Sequence, residues 1–220
     1  MRISATTLES FRLFMQPDQD WMAEQDLIDT IRGVFRTTPQ IELGTAWGQV
    51  LEDPCRYLAH GGYRCKGYEF SAADIWQALA LIDRRGVFEA KGTKQYGDCT
   101  VVAKADHLYG ALLAEFKTTT STFNVEKYLD SCQWRFMADI FEPMRIRYHV
   151  FCLDDHENGV ASLKGIESFN VYPYPGLHQD CDAIVRSFAA YVTAKGLERS
   201  LAGGGRKHTA FTAMNCLAQI

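Results

Sequence analysis

At Val87 the hydrophobic period of this chain changes, and that switch limits the folds open to it. Before it, apolar residues recur at helical spacing: Leu8, Phe11 and Phe14, then Trp21, Ile28, Ile31 and Phe35, then Ile75, Leu79 and Ile82. After it come three strand-like runs, Val87–Tyr96, Cys99–Asp106 and Ala111–Thr118, separated by the turn signals Gly97-Asp98 and Tyr109-Gly110. Side chains return to one face about every 3.6 residues on a helix and every two on a strand, so the switch divides a helical front from a sheet.

Local chemistry sets the expected boundaries. Thr6-Thr-Leu-Glu9 reads as a capping box opening the first helix, Pro39 ends the second, and Pro54 stops a third over Gly44–Asp53 that carries Glu52 near its C-terminal end. Ser71-x-x-Asp74 opens a fourth helix, closed by Gly86. The three strands most simply form an antiparallel meander, and Val125–Phe141 follows as one helix halted by Pro143. Arg145–Leu153 and Val160–Val171 form a hairpin around the turn Asp154–Gly159, with its first strand at the sheet edge. Asp180–Arg199 is a packing helix, and Gly203-Gly-Gly-Arg-Lys-His208 is a flexible basic stretch without the spacing of a phosphate loop.

The expected fold class is therefore α/β, a central mixed sheet containing an antiparallel meander and flanked by helices. With 220 residues and 47% of them hydrophobic, the chain can bury one substantial core, so a single domain over 1–220 is expected. Within it, 1–86 is mainly helical, 87–171 holds the central sheet and its helix, and 172–220 forms a C-terminal helix and tail. The N-terminus lacks the apolar core of a signal peptide, and no apolar run approaches the ~20 residues that span a bilayer. A soluble cytoplasmic protein without membrane contact is expected. Seven scattered cysteines without a C-x-x-C pair predict reduced thiols, and six dispersed histidines predict no structural zinc.

The chemistry concentrates in Asp106, Glu115 and Lys117. Glu115 and Lys117, two apart on a strand, project from one face beside Asp106 on the neighbouring strand. Two carboxylates can hold a hard divalent cation, and an adjacent ammonium can orient the attacking water. Alone the pattern is weak, because Asp at strand ends and Glu-x-Lys on solvated faces are common. His107 adjoins Asp106 and is either a turn residue facing water or a neighbour of the cation.

The order of several segments adds specificity. Ile3-Ser-Ala-Thr-Thr-Leu-Glu-Ser-Phe11, Leu43-Gly-Thr-Ala-Trp-Gly-Gln-Val-Leu-Glu52, the Asp106 and Glu115-Phe-Lys-Thr118 hairpin, and Tyr128-Leu-Asp-Ser-Cys-Gln-Trp134 together resemble the PD-(D/E)xK nuclease superfamily, most closely its RecB-like and phage-type exonuclease branch. The resemblance covers roughly residues 1–153. It implies a restriction-endonuclease-like core, with Asp106, Glu115, Glu52 and the Phe116 carbonyl holding Mg²⁺ or Mn²⁺, Lys117 serving the water, and Gln133 lying beside the site to help hold DNA. The implied activity is hydrolysis of DNA phosphodiester bonds from ends or in single strands, in phage-type recombination or replication inside the host cytoplasm. DNA is the implied partner, with a homo-oligomer or a recombination partner protein beside it. Departures from the pattern are Met137 in place of the helix Tyr, Gly48 in place of an upstream His, and the absence of the cysteines of iron–sulfur relatives.

Charge opposes a simple DNA-binding role, with a net of −4 and a pI near 5.9. The excess is local: residues 1–60 carry 5 basic and 9 acidic side chains, and the remainder 18 of each. Arg84, Arg85, Lys91, Lys94, Lys104 and Lys127 are candidates to line a basic groove. Two other classes of function remain open: a non-catalytic nucleic-acid-binding module on the same fold, and a partner-binding protein favoured by the acidic front.

Overall fold

The computed structural model describes residues 1–16, 22–155 and 159–202. Trp21, the middle of the turn at 154–159 and the basic stretch at 203–208 lie outside the described residues. The front of the chain forms β1 (Arg2–Ser4), α1 (Ala5–Phe14), α2 (Glu24–Ile31), α3 (Pro39–Glu52) and α4 (Pro54–Tyr57). Three short strands follow, β2 (Leu58–Ala59), β3 (Gly62–Cys65) and β4 (Tyr68–Ser71), and then α5 (Ala72–Leu79). The three expected strands are β5 (Val87–Tyr96), β6 (Cys99–Tyr109) and β7 (Leu112–Thr119). After α6 (Val125–Leu129) and α7 (Gln133–Phe141) come β8 (Arg145–Asp155), β9 (Val160–Val171), α8 (Leu177–Ala194) and α9 (Glu198–Ala202). Among the described residues no helix is long and apolar enough to cross a membrane.

Among the described residues all nine strands join one mixed sheet, β1-β6-β7-β8-β9-β4-β3-β2, with β5 on the other edge of β6. Helices cover both faces, which is the α/β architecture expected. On one face α1, α7 and α8 bury Leu8, Phe11, Phe136, Val185 and Phe188 against Val101 and Ala103 of β6. On the other, α3 and α5 bury Trp47, Val50, Leu51 and Ile75 against Phe70 and Phe151. Each such side chain stabilises the fold by ~1.5–3 kcal/mol.

Several boundaries differ from the sequence expectation, each for a local reason. Ser4, not Thr6, caps α1, because the chain leaves β1 extended at ψ 149° and Ser4 Oγ accepts the Thr7 N–H at 3.0 Å. Pro39 starts α3 instead of ending α2: Thr38 caps α3 and Pro39 fills its first turn, where a missing N–H costs nothing. Helix α2 stops at Ile31, and Phe35 lies beyond it, 63% exposed. The helix expected over 125–141 breaks at Asp130–Cys132 into α6 and α7. Strand β8 pairs in parallel with β7 and antiparallel with β9, so it is interior and not an edge. Strands β1 to β4 were not anticipated, being too short for a period to show.

Candidate active site

Asp106 sits at a fork in the sheet. One edge of β6 pairs with β5 along its length, while the other is shared: Thr100–Val102 pair with β1 and His107–Tyr109 with β7. Between those two partners the edge is open. Asp106 Oδ2 fills the opening by accepting the Phe116 N–H at 2.8 Å. Since a strand residue directs its N–H and C=O to one edge, the Phe116 carbonyl also faces the fork. The pairing His107↔Ala114 places Glu115 opposite Asp106 at the next position.

Glu115 is 1% exposed, and its two oxygens are treated unequally. Oε1 accepts from Lys117 Nζ at 2.7 Å, while Oε2 is buried without a partner. An orphaned carboxylate oxygen in the interior is costly, and a bound cation is one way to satisfy it. Lys117 Nζ also reaches Gln133 Oε1 at 3.4 Å. Asp106, Glu115, Lys117 and Gln133 are thus brought together.

Gln133 arrives through the break between α6 and α7. Its N–H donates to Ser131 Oγ at 3.1 Å, and the Cys132 N–H before it donates to Glu9 Oε2 of α1 at 2.6 Å. Arg12 holds Glu9 at 2.7 Å and reaches Asp130 at 3.3 Å. Glu9 is therefore a clamp on the break and not a capping-box partner of Thr6. Met137, in place of the helix tyrosine, is fully buried in the core. Tyr128 of α6 lies close enough for its hydroxyl to affect the charge of Lys117.

Electrostatics follow from burial and proximity. Burial pushes the Glu115 carboxyl up to about 7; Lys117 is the largest influence against it, and Asp106 adds to the rise. Burial also raises Asp106, and Glu89 adds to the rise, while Lys117, the Phe116 N–H and Lys104 pull the other way. Burial alone would depress Lys117, but Glu115 and Asp106 outweigh it and keep the group an ammonium.

Glu52 stands apart at the exposed end of α3. Burial, then Glu89, Asp53 and Asp106, push its carboxyl up against the pull of Lys104, so it shares the field of the fork without joining it. Among the described residues no three His, Cys, Asp or Glu side chains lie close enough to hold a metal ion as a ready-made cage. A β-carbon at Gly48 would meet nothing within 4 Å, leaving open space on α3 where the resemblance expects a histidine.

His107 faces the opposite side of the sheet, 4% exposed, with Nε2 at 2.8 Å from the Asp83 carbonyl and its ring 4.9 Å from Phe88. Of the basic residues proposed to line a groove, Arg84 caps α3 by donating to the Leu51 carbonyl at 2.9 Å, Arg85 pairs with Asp83 at 2.6 Å, and Lys94 pairs with Asp139 at 3.0 Å. Lys104 does stand at the fork, ion-paired with Glu89. The sequence contained a signal for Glu89: counting back from the turn at Gly97-Asp98 sets it opposite Asp106.

A structure of a phage-related exonuclease from Haemophilus somnus superposes with a TM-score of 0.50 at 8% identity, covering 89% of this chain and 96% of that one. The chain has the phage-type exonuclease fold. A candidate exonuclease from Eubacterium rectale also superposes on this chain with a TM-score of 0.50, at 10% identity over 97% of this chain and 91% of that one. An alkaline exonuclease from Laribacter hongkongensis gives a TM-score of 0.48 at 14% identity, over 91% and 93% of the two chains. No family model and no curated protein matches the sequence.

Proposed function

We propose that this chain is a divalent-metal-dependent deoxyribonuclease, an exonuclease acting on DNA ends or single strands. The observation that carries this is Glu115: a buried carboxylate opposite Asp106, with one oxygen on Lys117 and the other without a partner. That donor set, with the Phe116 carbonyl and Glu52 nearby, suits Mg²⁺ or Mn²⁺, which prefer hard oxygen ligands. A cation there would supply Lewis-acid polarisation of the phosphoryl oxygen and an acidified water. Lys117, held as an ammonium, donates to that water or to a phosphate oxygen and places it on the side of the two carboxylates. Gln133 fixes the direction of Lys117 and presents its amide to the substrate strand. A role in phage-type DNA recombination or replication, in the cytoplasm, rests on the resemblance of the ordered motifs.

A second reading is a non-catalytic nucleic-acid-binding module on the same fold, favoured by Met137 and by the open space at Gly48. End-labelled linear DNA and closed circular DNA, each with Mg²⁺ and with EDTA, separate the two. Metal-dependent release of nucleotides from linear DNA alone, lost at least a hundredfold in Lys117→Ala, is expected. Cleavage of circles would indicate an endonuclease, and DNA bound without cleavage would favour the module.

A further inference from the structure

Lys66, Glu89 and Glu142 are non-glycine residues with left-handed backbone among the described residues. Two have local reasons: Lys66 precedes Gly67 in the turn between β3 and β4, and Glu142 caps the end of α7. Glu89 has none. At φ 55° it lies inside β5, opposite Asp106, at the one level where the β5–β6 ladder is unpaired. Glycine would make such a kink without a side-chain penalty, so the strain at Glu89 needs a return from its side chain.

That side chain forms an ion pair with Lys104, two residues before Asp106 and on the same face of β6. Glu89 and Lys104 are 39% and 47% exposed, so a polyanion can reach the pair. Their charges act on both Asp106 and Glu52. Lys117 spends two of its three donors on Glu115 at 2.7 Å and Gln133 at 3.4 Å, which leaves one for the reacting water or phosphate and none for a neighbouring one. Arg84, Arg85 and Lys94 are committed to structural partners.

We propose that Lys104 is the second ammonium of the site, contacting a phosphate next to the one cleaved, and that Glu89 is the positioning residue that holds it there. The inference rests on the nuclease reading. In a chain of net charge −4, a cation held at the fork lets a phosphate approach two carboxylates. An ammonium carries three donors, so Lys104, exposed at its tip, can donate to a phosphate while its bond to Glu89 keeps it in place.

The test measures digestion of an end-labelled duplex with Mg²⁺ over a range of DNA concentrations, and binding of the same duplex in EDTA over a NaCl series. Lys104→Ala is expected to raise KM about tenfold with kcat changed less than about threefold, and to lessen the slope of log affinity against log salt by about 0.9. Lys104→Arg should restore most of both. Glu89→Gly relieves the left-handed strain, so it should melt no lower than the wild type and yet raise KM as Lys104→Ala does. Unchanged KM and salt slope in Lys104→Ala and Glu89→Gly, with an active wild type, overturn the inference and leave the nuclease reading standing. A wild type that neither binds nor cleaves DNA overturns that reading and the inference with it.

Discussion

Glu115 shows what a buried carboxyl with an unpartnered oxygen costs the fold. Its carboxyl titrates near 7 in the folded chain against 4.5 when free, so the folded state holds a proton that the unfolded chain gives up between those values. The stability this contributes is present at low pH and is lost as pH rises through 7, on the order of 3 kcal/mol. A Mg²⁺ ion bound at the orphaned oxygen would offset that loss. At pH 8, Mg²⁺ is therefore expected to raise the Tm of the wild type and not of Glu115→Gln, which without metal should melt at least as high as the wild type. A Mg²⁺-dependent rise persisting in the variant, read by calorimetry, would exclude Glu115 as a ligand. The three residues of this hairpin were legible in the sequence because strand alternation and one turn suffice to pair them. The orphaned oxygen was not, because burial of Glu115 comes from the whole sheet.

Among the elements, the break between α6 and α7 does what one continuous helix would not. It puts Gln133 in the first turn of α7 facing Lys117, and its geometry depends on Glu9 of α1, far away in sequence. A charge-assisted bond of this kind contributes about 2 kcal/mol. Glu9→Gln is expected to lower stability by about that amount in urea and to speed hydrogen exchange of the Cys132 amide by at least tenfold. Its kcat should fall while its metal requirement persists, and unchanged exchange at Cys132 would show that the clamp lies elsewhere. Helical spacing from Val125 to Phe141 gave no warning of the break, since apolar periodicity records which face is buried and not whether the backbone bonds are continuous. The displaced starts of α1 and α3 have a similar origin: Ser4 and Thr38 each leave extended chain, which a cap pattern read alone does not reveal.

The fold as a whole buries two histidines on the face away from the site. His149 is 3% exposed, its Nδ1 2.9 Å from Ser168 Oγ, and burial, with Arg147 and His107, pulls it down to about 4. The folded chain keeps it neutral while the unfolded chain takes up a proton below about 6.5, so stability is full above that value and falls as pH drops toward 4. The loss is on the order of 3 kcal/mol, and the lowered His107 adds in the same direction. Glu115 acts in the opposite sense over the same range, so the His149 contribution is read as a difference: between pH 7 and 4.5 the urea midpoint of the wild type should fall relative to that of His149→Leu, and parallel curves would assign the acid sensitivity to other groups. By itself the sequence determined the change of period at Val87, the meander, the β8–β9 hairpin and the pairing of Asp106 with Glu115 and Lys117, because these depend on neighbours within one turn. Only the tertiary structure decided the fork at Asp106, the capture of Gln133 through Glu9, the turning away of His107, and the strained Glu89 holding Lys104. The fork and the capture of Gln133 need β1 or α1 brought against a residue distant in the chain; His107 and Glu89 lie within the β5–β6 hairpin, whose register the sequence indicated but whose burial and backbone strain local periodicity does not encode.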